Sequence, residues 1–129
     1  INDREVTKWI STKGYFVVDL SSFMFSLPAR WNIQALTECE IYIIDSKDYR
    51  RIGQIISSWT ELEKLFIAKC FTVLEDRIVT HLSMTAEERY AQLFNINKDL
   101  FNQVPLQYLA SMLGMTPETL SRLRKKGSA

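Results

Sequence analysis

The sequence predicts an α+β protein: a small antiparallel β unit, a long helix, and a group of short helices that ends in a helix-turn-helix. Three observations lead there. Four short runs rich in β-branched and aromatic residues lie between Glu5 and Ile44, divided by turn signals. An apolar periodicity with no glycine or proline runs from Ser58 or Thr60 to Leu82. Finally, Leu106 to Lys126, LQYLASMLGMTPETLSRLRKK, carries the stop and start signals of two helices joined at a sharp corner.

In chain order, Glu5 to Ile10 is β-prone and stops at the turn signal Ser11-Thr12-Lys13-Gly14, and Tyr15 to Val18 is a second such run. Asp19 to Ala29, with three serines among Phe23, Met24 and Phe25 and a proline at 28, predicts a short helical turn or a loop. Arg30 to Leu36 alternates imperfectly, and Glu40 to Ile44 is the fourth strand candidate. Four strands in so short a stretch do not close a roll or sandwich, so a preceding segment is expected to complete the sheet.

Ser46 is placed to cap a helix over Asp48 to about Ile56. The long periodic segment follows. Its apolar stripe is too wide for one packing partner: Trp59, Leu62, Phe66, Cys70 and Val73 form one seam, while Leu65, Val79 and Leu82 lie to the side. One part is expected to meet the β unit and the seam a second copy of the chain. Thr85-Ala86-Glu87-Glu88 is a capping-box signature, and its helix runs through Tyr90 and Phe94 to about Asn95. Leu100 and Phe101 are expected to anchor the link that leads to Pro105.

The last unit is the most informative. Leu106, Leu109, Ala110 and Leu113 share one helical face, and Gly114 stands where the chain must turn. Thr116 can cap the next helix, Pro117 suits its first position, and Glu118 suits its positive end. With Glu118 set to zero, Leu120 and Leu123 fall near ~200° and ~140°, while Ser121, Arg122 and Lys125 fall near ~300°, ~40° and ~340°. One side is core and the other polar. Arginine can bond guanine through two donors, glutamate can accept from cytosine, and lysine can neutralise phosphate, so the polar side suits a DNA major groove.

Composition agrees. Net charge is +1 over 129 residues, but the distribution is uneven: Thr116 onward has four basic residues and one acidic, or +3, against twelve and fourteen, or −2, before it. No apolar run approaches the ~20 residues of a membrane span, and the N-terminus lacks a basic stretch followed by an apolar one, so the cytoplasm is expected and a membrane is not. Cys39 and Cys70 lack metal-ligand spacing and are expected in the core. An enzyme is not expected. The sole histidine, His81, lies in no metal motif, and the carboxylate pairs Glu61/Glu63, Glu75/Asp76 and Glu87/Glu88 have basic neighbours and suit solvated faces.

Taken together, this order resembles the Crp/Fnr family of bacterial transcription regulators, over nearly the whole chain. Glu118-Thr119-Leu120-Ser121-Arg122 resembles the E-x-x-S-R recognition helix of the Fnr branch. The resemblance implies base contacts from Glu118, Ser121 and Arg122, with Thr116, Thr119, Lys125 and Lys126 at the same interface. It implies residues 1–46 as the second half of a cyclic-nucleotide-binding-like β-roll, 47–83 as a linker helix and dimerisation helix, and 84–129 as a winged-helix-like DNA-binding domain. A homodimer on palindromic double-stranded DNA, with RNA polymerase as a further partner, follows from it, as does a half-site with a TGA-like core. Gly14 to Leu20 is similar to the family's phosphate-binding cassette, with Val18 in place of its second glycine and Asp19 in place of its ribose-binding glutamate. A Cβ at 18 obstructs close approach of backbone amides to a phosphate. Arg30, one position displaced from the arginine that clasps the cyclic phosphate, has no serine after it. Asp19 and Arg30 are therefore the candidate ligand residues, but no cofactor is expected; cAMP is disfavoured, and the effector is a different one or none. The alternative function is a ligand-sensing roll that acts through protein contacts or small-molecule binding.

Overall fold

The computed structural model describes residues 5–127, and within them every regular element is a helix. In order these are α1 (Leu20–Phe25), α2 (Ser46–Ile55), α3 (Trp59–Ser83), α4 (Ala86–Ile96), α5 (Leu100–Gln103), α6 (Leu106–Met112) and α7 (Pro117–Gly127). The α+β expectation is thus overturned: the described residues form no strand, and neither a β-roll nor a β wing is present among them.

The cause is visible in where the backbone groups go. A strand needs its N–H and C=O groups for a neighbouring strand. Here Thr7 N–H is given to the Ser111 hydroxyl (2.9 Å), the Lys8 carbonyl is taken by the Arg77 guanidinium, and Arg30 N–H is given to the Asp19 carboxylate (2.8 Å). In the fourth candidate run, Tyr42 and Ile43 are 90% and 89% exposed, so neither face of that run is covered as a half-buried strand requires. Alternation of side-chain type described the local preference and not a partner.

The chain divides into two compact units: residues up to Gly14 together with Arg77 onward, and Tyr15–Asp76. In the second, Asp19 caps α1 by accepting from Ser21 N–H (3.2 Å). Asp45, not Ser46, caps α2, accepting from Lys47 and Asp48 N–H, both at 2.8 Å. Phe23, Tyr49 and Trp59 then stack edge to face at 4.9 and 5.5 Å between ring centres. Tyr49 donates its hydroxyl to Glu63 at 2.7 Å; burial, with Glu63 beside it, pushes the phenol up to about 12. Phe16 meets Phe66 at 4.8 Å. No residue of α3 is buried, and Cys39 and Cys70, expected in the core, are both exposed.

The core lies in the first unit. Leu100, Phe101, Val104, Leu109, Ala110, Leu113 and Leu120 are buried there. Tyr90 and Phe94 of α4 and Phe101 of α5 form a ring cluster with centres 5.4 to 5.7 Å apart. The capping box at Thr85 is present: Glu88 N–H donates to the Thr85 hydroxyl, and Glu88 accepts from Thr85 N–H at 2.7 Å. That backbone bond, followed by the hydroxyl, holds the Glu88 carboxyl below the usual range. No helix among the described residues is long and apolar enough to cross a membrane.

Candidate nucleic-acid interface

Helices α6 and α7 meet at a corner whose geometry follows from one residue. Gly114 adopts φ +67°, a left-handed conformation that costs a side-chain-bearing residue energy. Met115 N–H then donates back to the Ala110 carbonyl (3.0 Å) and Gly114 N–H to Ser111 (3.1 Å). These two bonds constitute a Schellman motif. A helix end leaves its last carbonyls without intrahelical donors, and this corner satisfies all of them. Leu113 N–H reaches the Leu109 carbonyl (3.0 Å), Arg77 Nη2 the Met112 carbonyl (3.3 Å), and Arg89 Nε the Leu113 carbonyl (2.9 Å). Arg89 also donates Nη1 to the Met84 carbonyl (2.6 Å), which fixes its guanidinium. Burial draws Arg77 down from its ordinary value, yet it remains a cation at neutral pH.

The corner hands the chain directly to α7. Thr116 accepts from Thr119 N–H at 3.2 Å, which caps the helix from the position expected of it. Leu120 is fully buried and Leu123 half-buried, whereas Glu118, Arg122 and Lys125 are exposed and Ser121 is half-buried. Lys126 Nζ reaches Glu87 Oε1 of α4 at 2.8 Å, so α7 is tied at its far end as well.

The polar side of α7 is ordered from within. Arg122 Nη2 donates to the Thr119 hydroxyl (3.3 Å), and the Thr116 and Thr119 hydroxyl oxygens stand 3.2 Å apart. The Glu118 carboxyl is held below its usual range by its own backbone N–H first, by the Thr116 hydroxyl next, and by the Arg122 charge. It is an acceptor at neutral pH. The structure therefore gathers Thr116, Glu118, Thr119 and Arg122 at the start of one helix, with Ser121 and Lys125 beside them. Leu106, Ser121, Arg124 and Lys125 line a shallow hollow of ≈ 480 Å³ alongside, polar and basic on its α7 wall.

The other candidate residues lie elsewhere. Asp19 and Arg30 engage one another in the Tyr15–Asp76 unit: Arg30 Nη2 is 3.0 Å from Asp19 Oδ1, and the same carboxylate accepts from Arg30 N–H. Trp59, Leu62, Phe66, Cys70 and Val73 lie along α3, with Leu62, Phe66 and Val73 all exposed. A cleft of ≈ 300 Å³ lined by Phe23, Tyr49, Arg50, Trp59 and Glu63 has no counterpart in the sequence reading, because its residues belong to three separate segments. Arg77 and Arg89 also escape it: the carbonyls they hold are 35 and 24 residues away, and no local signal connects them. Among the described residues there is no group of three or more His, Cys, Asp or Glu able to hold a metal ion. Comparison with family models, curated proteins and solved structures finds no match to this chain.

Proposed function

We propose that this chain is a sequence-specific DNA-binding transcription regulator that works as a cytoplasmic homodimer, with α7 in the major groove. The observation that carries this reading is the two-sidedness of α7 beyond a tight corner. Leu120 anchors one side in the core while Glu118, Arg122 and Lys125 stand exposed on the other. An arginine oriented by a neighbouring hydroxyl and an ionised glutamate one helical turn away supply a donor fork and an acceptor to base edges. The basic residues Arg124, Lys125 and Lys126 follow at the end of the helix, where phosphates flank a groove. The likeness of Glu118 to Arg122 to a Crp/Fnr recognition helix supports the same assignment.

The dimer is supported by α3, where Leu62, Phe66 and Val73 share a seam that stays 40% to 51% exposed among the described residues, with only Phe16 set against Phe66. A pair of such helices is the kind of element that sets two reading helices about 34 Å apart, one turn of DNA. Selection of bound sequences from random duplex DNA tests function, symmetry and spacing together. The expected product is a palindrome with half-sites centred about 10 base pairs apart. Recovery of no enriched sequence would sink this reading.

A further inference from the structure

The segment ahead of Gly14 does not hang free of the helix-turn-helix; one contact binds it to α6 directly, and two bind it to Arg77 of α3, which itself holds the end of α6. Thr7 N–H donates to the Ser111 hydroxyl at 2.9 Å, Arg77 Nη1 donates to the Lys8 carbonyl, and the Arg77 guanidinium lies 5.2 Å from the centre of the Trp9 ring. The other nitrogen of the same guanidinium holds the Met112 carbonyl at 3.3 Å. One planar fork thus grips the segment with one arm and the helix-turn-helix corner with the other, which a lysine ammonium cannot reproduce. The chain passes between its two units after Gly14 and after Asp76. Arg77 is therefore the first residue beyond one crossing, and Thr7 to Trp9 lie just before the other.

We propose that Arg77 is a positioning residue for α7, and that through it the segment Thr7 to Trp9 sets how firmly the helix-turn-helix corner is held. Its effect on DNA rests on α7 being the DNA-contacting helix. Ser111, Met112 and Gly114 all belong to the corner that aims α7, so a segment bound to Ser111 directly and to Met112 through Arg77 biases Gly114. A chain event that lifts the segment loosens the corner and weakens DNA binding; a bound duplex, by reciprocity, tightens the grip on Trp9.

The full chain labelled with 5-fluorotryptophan tests this by fluorine NMR, with the Trp9 resonance assigned from Trp9→Phe. Amide exchange at Gly114 and Met115 is read on the same variants. Adding the selected duplex is expected to shift the Trp9 resonance in the wild type and not in Arg77→Gln. Exchange at the two corner amides is expected to rise about threefold to tenfold in both Arg77→Gln and Trp9→Leu, and duplex affinity to fall by a similar factor with the preferred sequence unchanged. Arg77→Lys, which keeps the charge but not the planar fork, is expected to behave as Arg77→Gln. Corner amides that exchange at the wild-type rate in Arg77→Gln and Trp9→Leu, in a chain that still binds its duplex, overturn the role of Arg77 alone. A wild-type chain that selects no duplex overturns the DNA-binding reading and, with it, any influence of Arg77 on DNA affinity.

Discussion

The guanidinium of Arg30 closes on the carboxylate of Asp19 at 3.0 Å, and the backbone N–H of Arg30 donates to the same group at 2.8 Å, while Asp19 also caps α1. One carboxylate thus ties the start of a helix to the chain eleven residues on. The side chain of Asp19 is 6% exposed and that of Arg30 58%. The hydrogen bonds from Arg30 hold the Asp19 carboxyl well below the usual carboxylate range. Because the folded value lies below the unfolded one of about 3.9, the stabilisation is fully present above that pH and is lost as pH falls towards the folded value. Asp19→Asn keeps a capping oxygen and removes the charge. It is expected to melt below the wild type at pH 7, with the gap closing towards about pH 2 in thermal melts followed by circular dichroism. A gap that persists unchanged into acid would mean the charge is not the source.

The same pair bears on ligands. Two side chains that the resemblance to a cyclic-phosphate site would aim outward are spent on one another, and the β-roll that such a site is built on is not formed by the described residues. Calorimetry of the chain with cAMP and with cGMP is expected to give no saturable heat at micromolar concentrations. A saturable signal would show that the pair opens for ligand and would reverse this expectation.

Gly114 is the third test. A Cβ built there meets the His81 ring at 3.5 Å, an ordinary contact, so the cost of a side chain comes from φ +67° and not from collision. Gly114→Ala is expected to lose about 1 to 2 kcal/mol in urea unfolding. Gly114→Asn, whose side chain tolerates the left-handed region, is expected to lose less. Equal losses would point to crowding against His81.

What was legible in the sequence divides along physical lines. The helix-turn-helix was, because its signals are local: Gly114 at the turn, Thr116 and Pro117 at the next start, Thr85 and Glu88 paired in a capping box. Each acts within one turn of backbone. Runs such as Glu40 to Ile44 misled because β-propensity records how a side chain fits a covered, pleated surface, and no such surface exists for Tyr42 or Ile43 among the described residues. Arg77 and Arg89 were invisible for the opposite reason. Each holds a carbonyl of the corner that lies far away in the chain, and an arginine on a helix looks solvated until such a partner is known.

The seam on α3 gives a fourth prediction. Val73 is 41% exposed and Leu62 51%, so a charge at either costs the single chain little burial, whereas in a helix-paired dimer it would be driven into an apolar contact. Val73→Glu and Leu62→Glu are each expected to sediment as monomers with unchanged helix content. A dimer that survives both substitutions must use another surface.

The proposed role of α7 permits the sharpest separation of side-chain roles. Arg122 is oriented by the Thr119 hydroxyl and set beside Glu118, and on the proposed function it is the residue that reads a base. Arg122→Ala is expected to lose about 1 to 3 kcal/mol of discrimination at one base pair, measured by competition between the selected site and its single-base variants, while weak, salt-sensitive binding remains. Lys125 is exposed and basic, so Lys125→Ala should weaken binding nearly equally on all sequences and lower the salt slope by about 1. Lys126 is different again, because its ammonium sits 2.8 Å from Glu87 Oε1 and part of its charge is already answered. Both partners are largely exposed, so that pair adds at most about 1 kcal/mol to stability, and Lys126→Ala should change DNA affinity less than Lys125→Ala. If Arg122→Ala weakened every sequence alike while Lys125→Ala changed the preferred base, the two roles would be exchanged and α7 would lie in the groove in a different rotation.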